Sequence, residues 1–274
     1  MNNTVKRSLS GVVFLAVMIS CLYLNEWLYG ALLIFMMIAM LHEFFAMTMG
    51  DKYKLSRVLA ILLGVCSFVS LFLVYRFSLD FKFVGINVIL LLGIMISSLY
   101  VKDKTEFRRF AFIYTGLLYI AIPLSLSNLV VLRGGAFDGT LMLAFFCIIW
   151  ASDVGAYCIG MLFGKNGRKL FPTVSPKKSW AGFWGGMLMA VVAAMILSLT
   201  GLFTFPWWHS IILAVIMHSL GVYGDLFESQ WKRVCEVKDS GNIIPGHGGA
   251  LDRFDSALFA IPAGVIYLVI NGLI

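Results

Sequence analysis

Three aspartates stand close to two stretches of basic residues and glycine near the C-terminal end of the sequence. Asp225 lies in Gly224-Asp225-Leu226-Phe227-Glu228-Ser229, and Asp252 and Asp255 follow at a spacing of three. That spacing puts the last two on one side of a helical turn. Between them and Asp225 lie Lys232, Arg233, Lys238 and the run Pro245-Gly246-His247-Gly248-Gly249, with Arg253 just beyond. Carboxylate oxygens are hard ligands suited to Mg2+. Glycines let backbone N–H groups approach an anion, and cations neutralise it. Together these residues describe a site for a metal-bound polyphosphate.

A second basic stretch, Ser175-Pro176-Lys177-Lys178-Ser179, immediately precedes an apolar run. Two lysines flanked by serines at the start of a helix can hold phosphate, although the same lysines also serve as membrane anchors. Asp153 and Glu43 lie inside apolar runs, where an ionisable side chain is costly and marks a functional position or a polar contact between helices. His218 reads as an interhelical contact, and His209, beside Trp207 and Trp208, as an interfacial residue. Taken singly, Asp255 is also a plausible helix N-cap and Asp252 a partner for a nearby cation. Neither reading accounts for four glycines among residues 241–249 or for three aspartates at one end of the apolar runs.

The elements that must carry these residues are membrane helices. Of 274 residues, 61% are hydrophobic and 13% charged, with a mean hydropathy of +0.93. A soluble domain carries about 25% charged residues, and no soluble fold of this length buries so much apolar surface. The expectation is an all-α polytopic membrane protein. Spans of ~20 apolar residues are predicted at 8–24, 27–48, 58–76, 84–101, 110–132, 140–163, 181–203, 207–227 and 255–273, nine in all. Lys6 and Arg7 before the first run suit an uncleaved first helix rather than a removed signal peptide.

With nine spans, only Arg76, Lys82 and Arg133 of the 21 Lys and Arg fall on one side, leaving 18 on the other. This places the N-terminus and the two long basic connections, 164–180 and 228–254, in the cytoplasm. It also explains the net charge of +7 without nucleic acid. Residues 1–135 are expected to form five N-terminal helices and residues 136–274 a four-helix catalytic part of one membrane domain. The five cysteines show no disulfide or zinc spacing.

The stretch Ser229-x-x-Lys232-Arg233-x4-Lys238-Asp239-x-Gly241-x3-Pro245-x-His247-Gly248-Gly249-x2-Asp252-Arg253-x-Asp255 resembles the signature of the phosphatidate cytidylyltransferases, also called CDP-diacylglycerol synthases. Ser175-Pro176-Lys177-Lys178-Ser179-Trp180-x-Gly182, Asp153 with Ala156, Tyr157 and Gly160, and Gly224-Asp225 extend the resemblance over spans six to nine. The first five spans match only in hydropathy and in Glu43. Trp231 and Ala181 depart from the usual pattern, which touches substrate detail rather than the reaction.

The resemblance implies a Mg2+-dependent transfer of the cytidylyl group from CTP to phosphatidate, giving CDP-diacylglycerol and pyrophosphate. It implies metal binding by Asp225, Asp252 and Asp255. Phosphate binding falls to Lys177, Lys178, Lys232, Arg233, Lys238 and Arg253, with Ser175, Ser179 and Ser229 as polar contacts. His247, Gly246, Gly248 and Gly249 shape the phosphate pocket and Asp153 its polar floor. The family further implies a monovalent cation such as K+, a homodimer and, for a chain of this size, a bacterial inner membrane. Two alternatives stand beside this reading. A CDP-alcohol phosphotransferase needs a four-aspartate motif that Asp252-Arg253-Phe254-Asp255 does not supply. An ion-coupled transporter would use Asp153, Glu43 and His218, but the polar residues concentrate in loops and the chain has no inverted repeat.

Overall fold

A computed structural model describes residues 3–50, 53–101, 107–243 and 248–274, the side chains of residues 3–10 excepted. Backbone N–H and C=O groups find no water in a bilayer, so each apolar run satisfies them internally as helix. The helices are α1 (Asn3–Leu24), α2 (Glu26–Met49), α3 (Lys54–Phe77), α4 (Ile86–Ser97), α5 (Ala111–Gly116), α6 (Ile122–Leu126), α7 (Asn128–Val131), α8 (Thr140–Phe163), α9 (Trp180–Leu199), α10 (Trp207–Val234), α11 (Leu251–Phe254) and α12 (Ala257–Ile270).

Among the described residues, seven stretches are long and apolar enough to cross a membrane: Glu26–Met49, Lys54–Phe77, Phe81–Tyr100, Phe107–Val131, Thr140–Phe163, Trp180–Leu199 and Trp207–Val234. Gly11–Leu24 and Ala257–Ile270 are shorter apolar helices. The chain is an all-α polytopic membrane protein. Phe107–Val131 is not one regular helix: a π-helical turn, Leu117–Ala121, separates α5 from α6. Pro123 in the first turn of α6 explains this, because proline supplies no N–H for an i→i−4 bond and a wider turn absorbs the break.

The connection at 164–180, expected as a loop, holds a short hairpin, β1 (Lys169–Phe171) and β2 (Ser175–Ser179). Lys169 pairs with Ser179 and Phe171 with Ser175, with an irregularity between them. Strands this short, made largely of Lys and Ser, leave no alternating apolar pattern to read. The Ser179 side chain then accepts from the Gly182 N–H at 3.1 Å as the N-cap of α9.

The described chain forms two compact units. One comprises Met1–Asp138 with Cys235–Arg253, the other Gly139–Val234 with Phe254–Ile274. In the first, Tyr29, Phe44, Phe45 and Phe68 are fully buried, and the Tyr29 and Ser127 hydroxyls lie 2.6 Å apart. In the second, α8 and α9 pack closely through small residues, as membrane helices do without a hydrophobic drive between them. Ser152 Oγ lies 2.7 Å from His218 Nδ1, so His218 does make an interhelical contact. His209 Nδ1 likewise lies 2.7 Å from the Tyr267 hydroxyl.

Candidate active site

The second unit gathers one group of the nominated residues. Asp225 lies 18 residues into α10, or ~27 Å along it at 1.5 Å per residue. That is near the far edge of a ~30 Å hydrocarbon layer, so the last turns of α10 reach the polar side. Lys178 on β2 places its Nζ 2.6 Å from Asp225 Oδ2, and Ser229 Oγ lies 3.3 Å from Asp225 Oδ1. Because side chains alternate along a strand, Lys177 is directed to the face opposite Lys178 and is exposed.

Asp255 occupies the turn between α11 and α12, outside the helical span. It comes close to α10 at Gly224, where an added Cβ would fall 2.5 Å from the Asp255 carbonyl oxygen and 3.2 Å from Phe259 Cβ. No other residue type fits there without moving that turn. Burial, then the Asp225 charge, raise the Asp255 pKa to about 7. Asp153 on α8 adds to this rise, while the Ser256 N–H, 2.7 Å from Oδ1, and Lys178 oppose it.

Farther along α10, Lys232 Nζ lies 3.0 Å from Oε2 of Glu228, a fully buried carboxylate that sequence reading did not single out. The i,i+4 spacing of the two was the signal available for it. Arg233 Nε donates to the Val174 carbonyl in the hairpin turn at 3.4 Å. Ser175 is half-buried, whereas Ser179 is buried with its hydroxyl engaged as a helix cap.

The first unit gathers the other group. Asp252 Oδ2 accepts from the Ser240 N–H at 3.0 Å, the Ser240 hydroxyl at 3.0 Å and the Gly249 N–H at 2.8 Å. Glu43 on α2, only 4% exposed, accepts from the Ala250 and Leu251 N–H groups at 3.0 Å each and from the Ser240 hydroxyl at 3.1 Å. Gly248 holds φ +85°, a left-handed conformation that favours glycine, and Gly249 is buried. Lys238 and Arg253 are exposed. Gly246 and His247 lie outside the described residues.

Among the described residues, no three His, Cys, Asp or Glu side chains form a group able to hold a metal by themselves. Mg2+ rarely asks for one, since it usually takes one or two carboxylates, water and substrate phosphates. Asp225 and Asp255 have that donor chemistry, and the burden that the Asp225 charge places on Asp255 is relieved by a cation.

The fold is that of an all-α polytopic membrane protein, and its second unit sets Lys178 against Asp225 close to Asp255. The model of the cytidylyltransferase family matches residues 5–271, and the chain belongs to that family. Among its relatives, the phosphatidate cytidylyltransferase of Bacillus subtilis (strain 168) is 38% identical over 170 residues, covering 62% of this chain and 60% of the relative. That of Staphylococcus saprophyticus is 37% identical over 169 residues, 61% of this chain and 62% of the relative. That of Rickettsia bellii (strain RML369-C) is 38% identical over 229 residues, 81% of this chain and 94% of the relative. The matched segment therefore spans about three fifths of the first two relatives and nearly all of the third.

Proposed function

We propose that the chain is a phosphatidate cytidylyltransferase, transferring the cytidylyl group of CTP to phosphatidate and releasing pyrophosphate. The observation that carries this reading is the Asp225–Lys178 ion pair beside Asp255 and Asp153, in a chain of this family. A phosphate oxygen of phosphatidate attacks the α-phosphorus of CTP, and the bond to the bridging oxygen of the β-phosphate breaks. A phosphomonoester has a second pKa of ~6, so the nucleophile is already ionised near neutral pH and needs no general base. The protein's task is to bring two anions together and stabilise the leaving pyrophosphate, which is electrostatics and positioning.

Asp225 and Asp255 are proposed to hold Mg2+, with Asp252, three residues before Asp255, as a further ligand on the strength of the motif. When bound, the metal neutralises charge developing on the phosphates. Lys177, Lys178, Lys232, Arg233, Lys238 and Arg253 supply cations for the triphosphate and the lipid phosphate. Glu228 holds the Lys232 ammonium in place. The lipid enters from the bilayer and the nucleotide from the aqueous side.

The charge distribution supports nine spans with the N-terminus and the basic connections in the cytoplasm. A bacterial inner membrane, a homodimer and use of K+ follow from the family resemblance.

The test is CDP-diacylglycerol formation by purified protein in detergent with phosphatidate, labelled CTP and Mg2+, for the wild type and Asp225→Asn. Product from the wild type that collapses in the variant supports both reaction and site. No product from the wild type, with or without K+, overturns the enzymatic reading.

A further inference from the structure

We infer that Glu43 is a positioning residue. A buried carboxylate on α2 closes the two described arms of the signature segment, Asp239–Gly241 and Gly248–Asp252, around itself and, through Ser240, orients Asp252. The proposal rests on the enzymatic reading above for its consequence, not for its geometry.

Four acceptor positions on a carboxylate suit several donors at once. Glu43 uses them on both arms: Oε1 takes the Ala250 N–H, while Oε2 takes the Leu251 N–H and the Ser240 hydroxyl. Hydrogen bonds to an ionised acceptor are roughly twice as strong as neutral ones. They also tie residues nearly 200 positions apart, 43 to 240, and more than 200 apart, 43 to 250 and 251.

The Ser240 hydroxyl has one proton and lies between two acceptors, Glu43 Oε2 at 3.1 Å and Asp252 Oδ2 at 3.0 Å. Its backbone N–H goes to the same Asp252 oxygen. Moving Glu43 therefore moves Ser240, and Ser240 holds Asp252. Two glycines make this closure possible. A Cβ at Gly241 would fall 2.6 Å from Glu43 Cδ, and one at Gly249 would fall 2.5 Å from Glu43 Oε2 and 2.7 Å from the Gly241 nitrogen. At these two positions the glycines of the motif accommodate a carboxylate from the protein itself.

Glu43→Gln is nearly isosteric but turns one acceptor into a donor, which then faces an N–H or the Ser240 hydroxyl. In the folded protein in detergent, amide exchange at residues 248–253 should quicken by about tenfold or more, the loss expected for a charge-assisted bond, while exchange in α8 and α9 stays as in wild type. Ser240→Ala keeps both backbone bonds to Glu43 and the Ser240 N–H bond to Asp252, but removes the hydroxyl bridge between the two carboxylates. It should lower kcat by about tenfold with KM for CTP and the melting temperature nearly unchanged, and Ser240→Thr, which restores the hydroxyl, should recover it. A purely structural anchor would lower melting temperature without that split or rescue.

Wild-type exchange rates in Glu43→Gln, or wild-type kcat in Ser240→Ala, overturn the proposal. If Glu43→Gln does not fold, the Ser240 pair decides. If wild-type protein makes no CDP-diacylglycerol, the enzymatic reading fails, and the exchange comparison still decides whether Glu43 closes the segment.

Discussion

The two groups of carboxylates in this chain are handled in opposite ways. Glu43 and Asp252 are held by backbone N–H groups and a serine hydroxyl at 2.8–3.1 Å, donors that belong to the fold and do not titrate. Asp225 and Asp255 repel one another and have few fixed donors: Lys178 lies 2.6 Å from Asp225, Ser229 at a longer 3.3 Å, and a single backbone N–H meets Asp255. Fixed dipoles around an anion make an anchor. A flexible ammonium beside two anions makes a place where one cation can be exchanged for another. Asp225 and Asp255 should therefore govern turnover, and Glu43 the shape of the segment that carries Asp252.

The largest effect is expected from Asp225→Asn. If Asp225 faces charge that is exchanged during the reaction, its loss should cut kcat by ~10²-fold or more, the scale on which a group stabilising developing charge acts. The melting temperature should barely change, because an amide at that position still meets Ser229. An Asp225→Asn protein that keeps wild-type turnover would erase the distinction between the two groups.

Lys178→Met comes next. The ammonium at 2.6 Å from Asp225 is lost while the aliphatic stem is kept. Activity should fall by ~10-fold or more, chiefly through a raised KM for CTP, since a lysine that serves phosphate as a point charge contributes to binding. A stability loss at unchanged KM would instead assign Lys178 to the fold.

A smaller effect separates the groups by pH. The folded Asp255 holds its proton up to about pH 7, against an ordinary value of 3.8. Between these two values the folded state binds more protons than the unfolded one, so stability falls as pH rises through that window. Without Mg2+, the melting temperature of wild type should decline from about pH 4 to pH 7 more steeply than that of Asp255→Asn. Parallel curves for the two proteins would mean that Asp255 is already neutralised by its surroundings.

How far the sequence could be read follows the same physics. Spans such as Thr140–Phe163 announce themselves because lipid demands a long apolar run, and Asp153 within it stands out for its cost. The motif residues are legible by type. Their division of labour is not: Glu43 and Leu251 are 208 residues apart, and nothing local to either announces the bond between them. The glycines read as a phosphate cradle, yet Gly241 is crowded by Glu43 and Gly249 by Ser240 and Glu43. The π-helical turn before Pro123 and the hairpin at Lys169–Ser179 escape period-based reading, one because a single turn shifts, the other because its strands are short and polar.

The smallest expected effect concerns a residue that the motif alone assigns to substrate. The Ser179 hydroxyl accepts the Gly182 N–H at 3.1 Å and is buried at the start of α9. Losing an N-cap costs about 1 kcal/mol, so Ser179→Ala should lower the melting temperature by a few degrees while KM for CTP stays within about twofold. Ser179 would then stand with Glu43 and Asp252, among groups already satisfied within the fold. A KM that rises well beyond twofold at unchanged melting temperature would move it to the side of Lys178, as a hydroxyl that leaves its cap to meet the nucleotide. The measurement is informative because the two roles compete for one oxygen: a cap bond strong enough to order the first turn of α9 holds that oxygen in place against a passing phosphate.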